Sequence, residues 1–114
     1  MKTRLANSAD VPAIVELLNL LFEQEADFTP SREAQTNGLR LILSSLHSGK
    51  LIVAEDENGS IVGMVSLHYM PSTSMGEWVA VLEDMIVSIS ARRQGAGKVL
   101  IDAAKSAAED DRCR

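Results

Sequence analysis

Apolar residues recur at spacings of three and four early in the chain. Val11, Ile14, Leu17, Leu18, Leu21 and Phe22 fall on one side of a helix of about four turns, with polar residues on the other. Asn7, Ser8 and Asp10 can cap it and Pro12 is tolerated in a first turn, so the helix is expected from about Ser8, behind a short strand over residues 2–5. Glu23, Gln24, Glu25, Asp27, Thr29 and Pro30 then make an acidic, proline-ended connection. Ser31, with Glu33 and Ala34, caps a second expected helix whose apolar positions are Leu39, Ile42, Leu43 and Leu46. Asn37 and Gly38 weaken its middle, and Gly49 is the expected stop.

After Lys50 the period shortens. LIVAE and IVGMVSLHY are β-branched runs on either side of a segment containing Asn58-Gly59, which predicts a β-hairpin. PSTSMG, residues 71–76, is expected as a loop, and residues 77–87 as a third long strand that extends the hairpin into a meander. Over residues 95–109 the helical period returns, with Val99, Leu100, Ala103, Ala104 and Ala107 on one face and Lys98, Asp102, Lys105 and Glu109 towards solvent. The expected order is β-α-α-β-β-β-α, an α/β arrangement with helices covering an initially antiparallel sheet. No repeat or linker interrupts residues 1–114, so they are taken as one domain.

Composition changes this picture at three points. The single cysteine, Cys113, can form no internal disulfide or metal site alone and fits a free thiol in a reducing compartment. No apolar run of membrane length or signal-peptide type is present, so the expectation is a cytoplasmic protein that does not meet membranes. A net charge of −5 and a pI near 4.9 argue against nucleic acid as a partner. Against that acidic background Arg92, Arg93 and Lys98 cluster around one point, which suits a small polyanion.

That point is where the third long strand hands over to the last helix. Gly95 and Gly97 flank Ala96 there, and a helix N-terminus offers free N–H groups that glycines let a phosphate approach closely. RRQGAGK therefore reads as a diphosphate cradle, or, more plainly, as two glycines in a tight turn beside solvated arginines. It is neither a Walker loop nor the dinucleotide fingerprint, which would need glycine where Leu100 stands.

The stretch LEDMIVSISARRQGAGKVLIDAA, residues 82–104, resembles the acetyl-CoA signature of the GNAT N-acetyltransferase superfamily, in which a strand ending in EDxxV is followed by RxxGxG and an alanine- and leucine-rich helix. Arg92, Gly95 and Gly97 stand at its diagnostic positions, and the preceding strand, two helices and meander match the family's opening elements. The resemblance implies a GNAT-like fold and transfer of an acetyl group from acetyl-CoA to a primary amine of a small molecule or protein, without metal. It further implies that backbone groups of Met85, Ile86 and Val87 pair with the pantetheine arm as an added strand would. Arg92 and the loop Arg93, Gln94, Gly95, Ala96, Gly97 and Lys98 would hold the pyrophosphate. Ile89 stands where many members have proline, and Ala91 where many have an aromatic residue.

Glu83 and Asp84 are the acid–base candidates that follow from the same resemblance, because an ammonium must lose a proton before its nitrogen can attack a thioester. Strand alternation would put Glu83 on one face with Met85 and Val87, and Asp84 on the other with Ile86. Glu83 is thus the expected base and Asp84 the expected substrate contact. His68 and Tyr69 are weaker candidates for a cleft lining, Trp78 for packing, and His47 for a helix-end contact.

Family members continue past this helix into a further strand, which would make the sheet mixed, and a helix that commonly carries a tyrosine acting as general acid. The chain is expected to hold the N-terminal and acetyl-CoA-binding portion only, with a C-terminally incomplete sheet and no residue assigned as acid. An open sheet edge would favour a homodimer. The alternative to a transferase is a non-catalytic CoA-binding or dimerisation module.

Overall fold

The computed structural model describes residues 1–22, 31–45 and 47–113, and the side chains of residues 21 and 22 lie outside that description. The acidic connection with Glu23, Glu25 and Asp27, and the expected core residue Leu46, also lie outside the described residues. Four strands, β1 (Lys2–Leu5), β2 (Gly49–Glu55), β3 (Ile61–Ser72) and β4 (Glu77–Val87), form one sheet in the order β1-β2-β3-β4, antiparallel at every pairing. Helices α1 (Val11–Phe22) and α2 (Arg32–Ser44) cover one face, and α3 (Ala96–Asp110) covers the other.

The first helix starts through its caps. Asn7 accepts the Ala9 N–H at 2.9 Å and donates its own N–H to Asp10 Oδ2 at 2.8 Å, which seeds a 3-10 turn over Ser8–Asp10 that runs into α1. Asp10 then grips the Arg4 guanidinium with both oxygens, at 2.7 and 2.9 Å, while Arg4 Nε reaches Glu55 at 2.8 Å. This fork holds the Asp10 carboxyl below its ordinary range and ties β1, β2 and the helix start together.

The apolar stripe of α1 buries Val11, Ile14, Val15, Leu17 and Leu18 against Leu51, Val53, Met64 and Ile86. On the opposite face Ile52, Ala54, Val62, Val65 and Leu67 meet Ala91, Ala96, Leu100 and Ala104. Small residues on α3 let it lie close to the sheet, and a Cβ added at Gly63 would come within 2.9 Å of Leu100 Cδ1.

Three boundaries differ from the sequence expectation. Helix α2 is capped by Ser31 as expected but ends at Ser44, and Gly49 begins β2, where a Cβ would fall 2.0 Å from the Leu67 carbonyl oxygen. That close backbone approach, and not a helix stop, requires glycine. The hairpin forms, yet its loop is not a two-residue turn at Asn58-Gly59. The Gly59 N–H bonds the Asp56 carbonyl at 3.0 Å with Gly59 at φ +80°, and Asp56 Oδ1 accepts from Asn58 and Ser60, so Asp56 does the folding. Strand β3 continues through Pro71 to Ser72, so the connection to β4 is only residues 73–76.

Candidate functional site

Between Ser66 and Leu67 the β3–β4 register slips: Ser66 pairs with Asp84, but Leu67 pairs with Leu82. Glu83 is the extra residue of a β-bulge. The buried Ser66 hydroxyl accepts the Asp84 N–H at 3.2 Å and so adds a side-chain bond where the ladder slips. The bulge overturns the alternation expected for this strand. Glu83 does not share the face of Met85 and Val87; Glu83 and Asp84 both line a cleft of about 640 Å³ on the α1–α2 side, together with His68. The remaining walls are mostly apolar, with Leu18, Leu39 and Ile42 among them.

Burial pushes the Asp84 carboxyl above its ordinary range, the neighbouring Glu83 charge adds to that shift, and His68 opposes it. A bulge is the geometry that places two consecutive strand residues where a single ligand can meet both.

The ladder also decides which backbone groups of β4 are free. Ser88 donates its N–H to the Val62 carbonyl at 2.8 Å, which sets the phase of the pairing. Ile86, opposite Met64, turns its amide and carbonyl towards β3, whereas Met85 and Val87 turn theirs to the open edge. Ile86 is therefore a correction to the expected ligand-pairing set: its backbone belongs to the ladder and its side chain is buried in the core. The Val87 carbonyl accepts from Arg92 Nε at 3.1 Å, so this arginine stitches the end of β4 to the loop that follows.

That loop is a 3-10 turn over Ile89–Ala91 followed by Arg92, Arg93, Gln94 and Gly95, the last at φ +81° as the N-cap of α3. Gln94 closes the turn by donating to the Ser90 carbonyl at 3.2 Å, and Ala96 is fully buried against the sheet. Val99 N–H bonds the Gly95 carbonyl, leaving the amides ahead of it, those of Ala96, Gly97 and Lys98, as the open end of the helix. Gly95 is required by its left-handed φ. Gly97 has no such need, and a Cβ there would meet nothing closer than Met85 Cε at 3.9 Å, so the fold itself does not require glycine at that point. Of the three cations, Lys98 pairs with Asp102 at 2.9 Å and Arg92 holds Val87, while exposed Arg93 makes no hydrogen bond or ion pair among the described residues. The backbone amides, Gly97 and Arg93 suit a pyrophosphate group.

The weaker candidates separate. His68 joins the cleft, but Tyr69 points to the α3 side, where its hydroxyl donates to Asp111. Trp78, expected to pack, is 52% exposed. His47 sits in the turn after α2, beside Tyr69, Trp78 and Cys113 in a separate, smaller depression. The sequence reasoning missed Gln35 and Gly38, which line the cleft from α2; their spacing of three on a helix was the available signal. Among the described residues no helix is long and apolar enough to cross a membrane, and no group of three metal-ligating side chains is found.

Comparison with known proteins agrees on one fold. A sequence model described as "Acetyltransferase (GNAT) family" matches residues 11–114. An integron cassette protein from the mobile metagenome of Cole Harbour Salt Marsh superposes with a TM-score of 0.89 at 26% identity, covering 98% of this chain and 72% of that one. A transcriptional regulator from Bacillus halodurans gives a TM-score of 0.82 at 27% identity, with 99% and 77% covered. An acetyltransferase from Trypanosoma brucei gives 0.74 at 27%, with 98% and 77% covered. No curated protein matches the sequence significantly.

Proposed function

Because the chain belongs to the GNAT acetyltransferase family, we propose that it moves an acetyl group from acetyl-CoA to a primary amine seated in the cleft beside Glu83 and Asp84. The observation that carries this is the bulge at Glu83, which sets a pair of carboxylates at a partly apolar cleft two residues before the edge-facing backbone of Met85 and the edge-facing Val87 N–H. Those edge groups extend an acyl-CoA arm along β4, and the loop amides of residues 93–98, with Arg93, take its pyrophosphate. Arg92 holds the loop in register through the Val87 carbonyl.

Glu83 is the base. It removes a proton from the acceptor ammonium, directly or through a water; the freed nitrogen attacks the thioester carbonyl carbon, the C–S bond breaks to leave the CoA thiolate, the second proton that the nitrogen sheds on becoming an amide goes to that thiolate, and Glu83 returns its own proton to solvent. Asp84 is the second carboxylate, and its proximity keeps a positive charge favourable in the cleft before transfer. Attack is direct, with no covalent enzyme intermediate.

The test uses Glu83→Gln. Acetylation of small primary amines, followed by release of free CoA thiol, is expected to fall about 100-fold or more, while calorimetric acetyl-CoA affinity is unchanged. Full turnover in the variant would remove Glu83 from this role. A second reading, a CoA-binding or dimerisation module, draws on the open β4 edge, where Trp78, Val81, Leu82 and Met85 are exposed. Acetyl-CoA binding without thiol release from any amine, together with a concentration-dependent dimer in sedimentation, would favour it.

A further inference from the structure

Gln35, which lines the cleft from α2, meets Asn19 of α1 behind it, and the two carboxamides satisfy each other only in part. Gln35 Nε2 donates to Asn19 Oδ1 at 3.3 Å. Asn19 Nδ2 and Gln35 Oε1 are shielded from solvent and have no hydrogen-bond partner among the described residues. Exchanging nitrogen and oxygen in both amides leaves the same imbalance, with one end of each unmet. Asn19 is 6% exposed and Gln35 half-buried, so the pair runs from the interior to the cleft wall. Native folds retain few such groups without a reason.

A second feature lies one helical step away. Gln35, Gly38, Leu39 and Ile42, spaced i, i+3, i+4 and i+7, all line the cleft from α2. Nothing comes within 4 Å of the position a Cβ would take at Gly38, so packing does not demand glycine there. Glycine inside a helix also weakens it relative to alanine. Both features therefore work against the stability of the unliganded protein, and both sit on the same stripe of α2.

We propose that Gln35, backed by Asn19, reads a neutral hydrogen-bonding group on the acceptor, a hydroxyl or carboxamide carried at a distance from the reacting amine, and that Gly38 leaves the room for it. A carboxamide has the donor and the acceptor that the pair lacks. A second ammonium fits less well, because among the described residues the only acids lining the cleft are Glu83 and Asp84 on β4. The proposal rests on the cleft being the acceptor site and makes Gln35 a specificity residue with no part in bond making.

Amine binding is measured by calorimetry on the intact chain, without turnover, using plain alkylamines and the matching amino alcohols and amino carboxamides from propyl to heptyl. The wild type is expected to bind at least one polar-ended amine about tenfold more tightly than the alkylamine of equal length. Gln35→Met is expected to bring that pair within about twofold and leave the alkylamine unchanged. Asn19→Leu combined with Gln35→Met is expected to melt at or above the wild-type temperature, since removing both halves of an unmet pair relieves the fold. Equal affinity for plain and polar ends, no binding of any amine, or a Gln35→Met protein that keeps the full preference overturns the proposal. So does a double variant that melts well below the wild type, which would assign the pair to the fold. Selective binding without acetyl transfer leaves this inference standing and removes the transfer reading; transfer without selectivity does the reverse.

Discussion

Gly63 in β3 and Gly38 in α2 are both glycines inside regular elements, one on each side of the sheet. At Gly63 a Cβ would sit 2.9 Å from Leu100 Cδ1 and 3.2 Å from the Ile86 carbonyl oxygen; at Gly38 it would meet nothing within 4 Å. The first glycine lets α3 close onto the sheet, and the second keeps a wall of the cleft open. The same residue type thus separates a face organised for packing from a face organised for a ligand. Other groups follow the division: Ala96, Leu100 and Ala104 of α3 are buried against the sheet, while Glu83, Asp84, His68 and Gln35 all border the α1–α2 cleft.

The largest effect expected from breaking this comparison is at Gly63. Gly63→Val should force Leu100 from its place and strain the β3–β4 ladder, at a cost of about 1–3 kcal/mol in unfolding free energy. Urea titration followed by far-UV circular dichroism would measure it; a midpoint equal to wild type would mean that α3 can shift freely and that the face is not closed. Gly38→Ala reverses the sign. The helix gains about 1 kcal/mol from alanine, and the melting temperature should rise by a few degrees. A Gly38→Ala protein that is less stable than wild type would show that the open space is filled in solution by something the helix needs.

Much of this division could be read from the chain. Residues with period 3.6 located α1 and α3, the runs on either side of residue 58 located the hairpin, and the limits of β4 came out at Glu77 and Val87. RRQGAGK pointed to the loop and helix end where the structure has its open amides. What the chain did not disclose was the bulge. Alternation assumes an unbroken ladder, and only Ser66, a lone hydroxyl within an otherwise apolar stretch of β3, signalled that a backbone amide elsewhere required a side-chain partner. Gly49 was misread for a similar reason: helix stops and close strand approaches both use glycine, and only the Leu67 carbonyl distinguishes them. The Asn19–Gln35 pair depends on α1 packing against α2, which no local pattern encodes.

The smallest expected effect tests the cleft face through its charge. Burial and the Glu83 charge raise the Asp84 carboxyl above its ordinary value, while His68 pulls it down by less. The folded chain therefore holds this proton more tightly than the unfolded chain does, so Asp84 favours folding below the unfolded value, about 3.9. That contribution is lost as pH rises through the raised folded value, after which the ionised carboxylate carries a constant penalty. Asp84→Asn removes the penalty. It should be more stable than wild type at neutral pH, by less than about 1 kcal/mol because the group is only partly buried, and the advantage should shrink as pH falls towards 4. The Glu83 charge is one cause of the Asp84 shift, so Glu83→Gln is the parallel control. Placed in both backgrounds, it should narrow the difference that Asp84→Asn makes, because one of the two causes of the shift is gone. Urea midpoints for the wild type, the two single variants and the double variant across a pH series would measure this. A difference between wild type and Asp84→Asn that does not change with pH would mean that the carboxylate is solvated like any on the surface. The cleft face would then be no more organised around charge than the α3 face is.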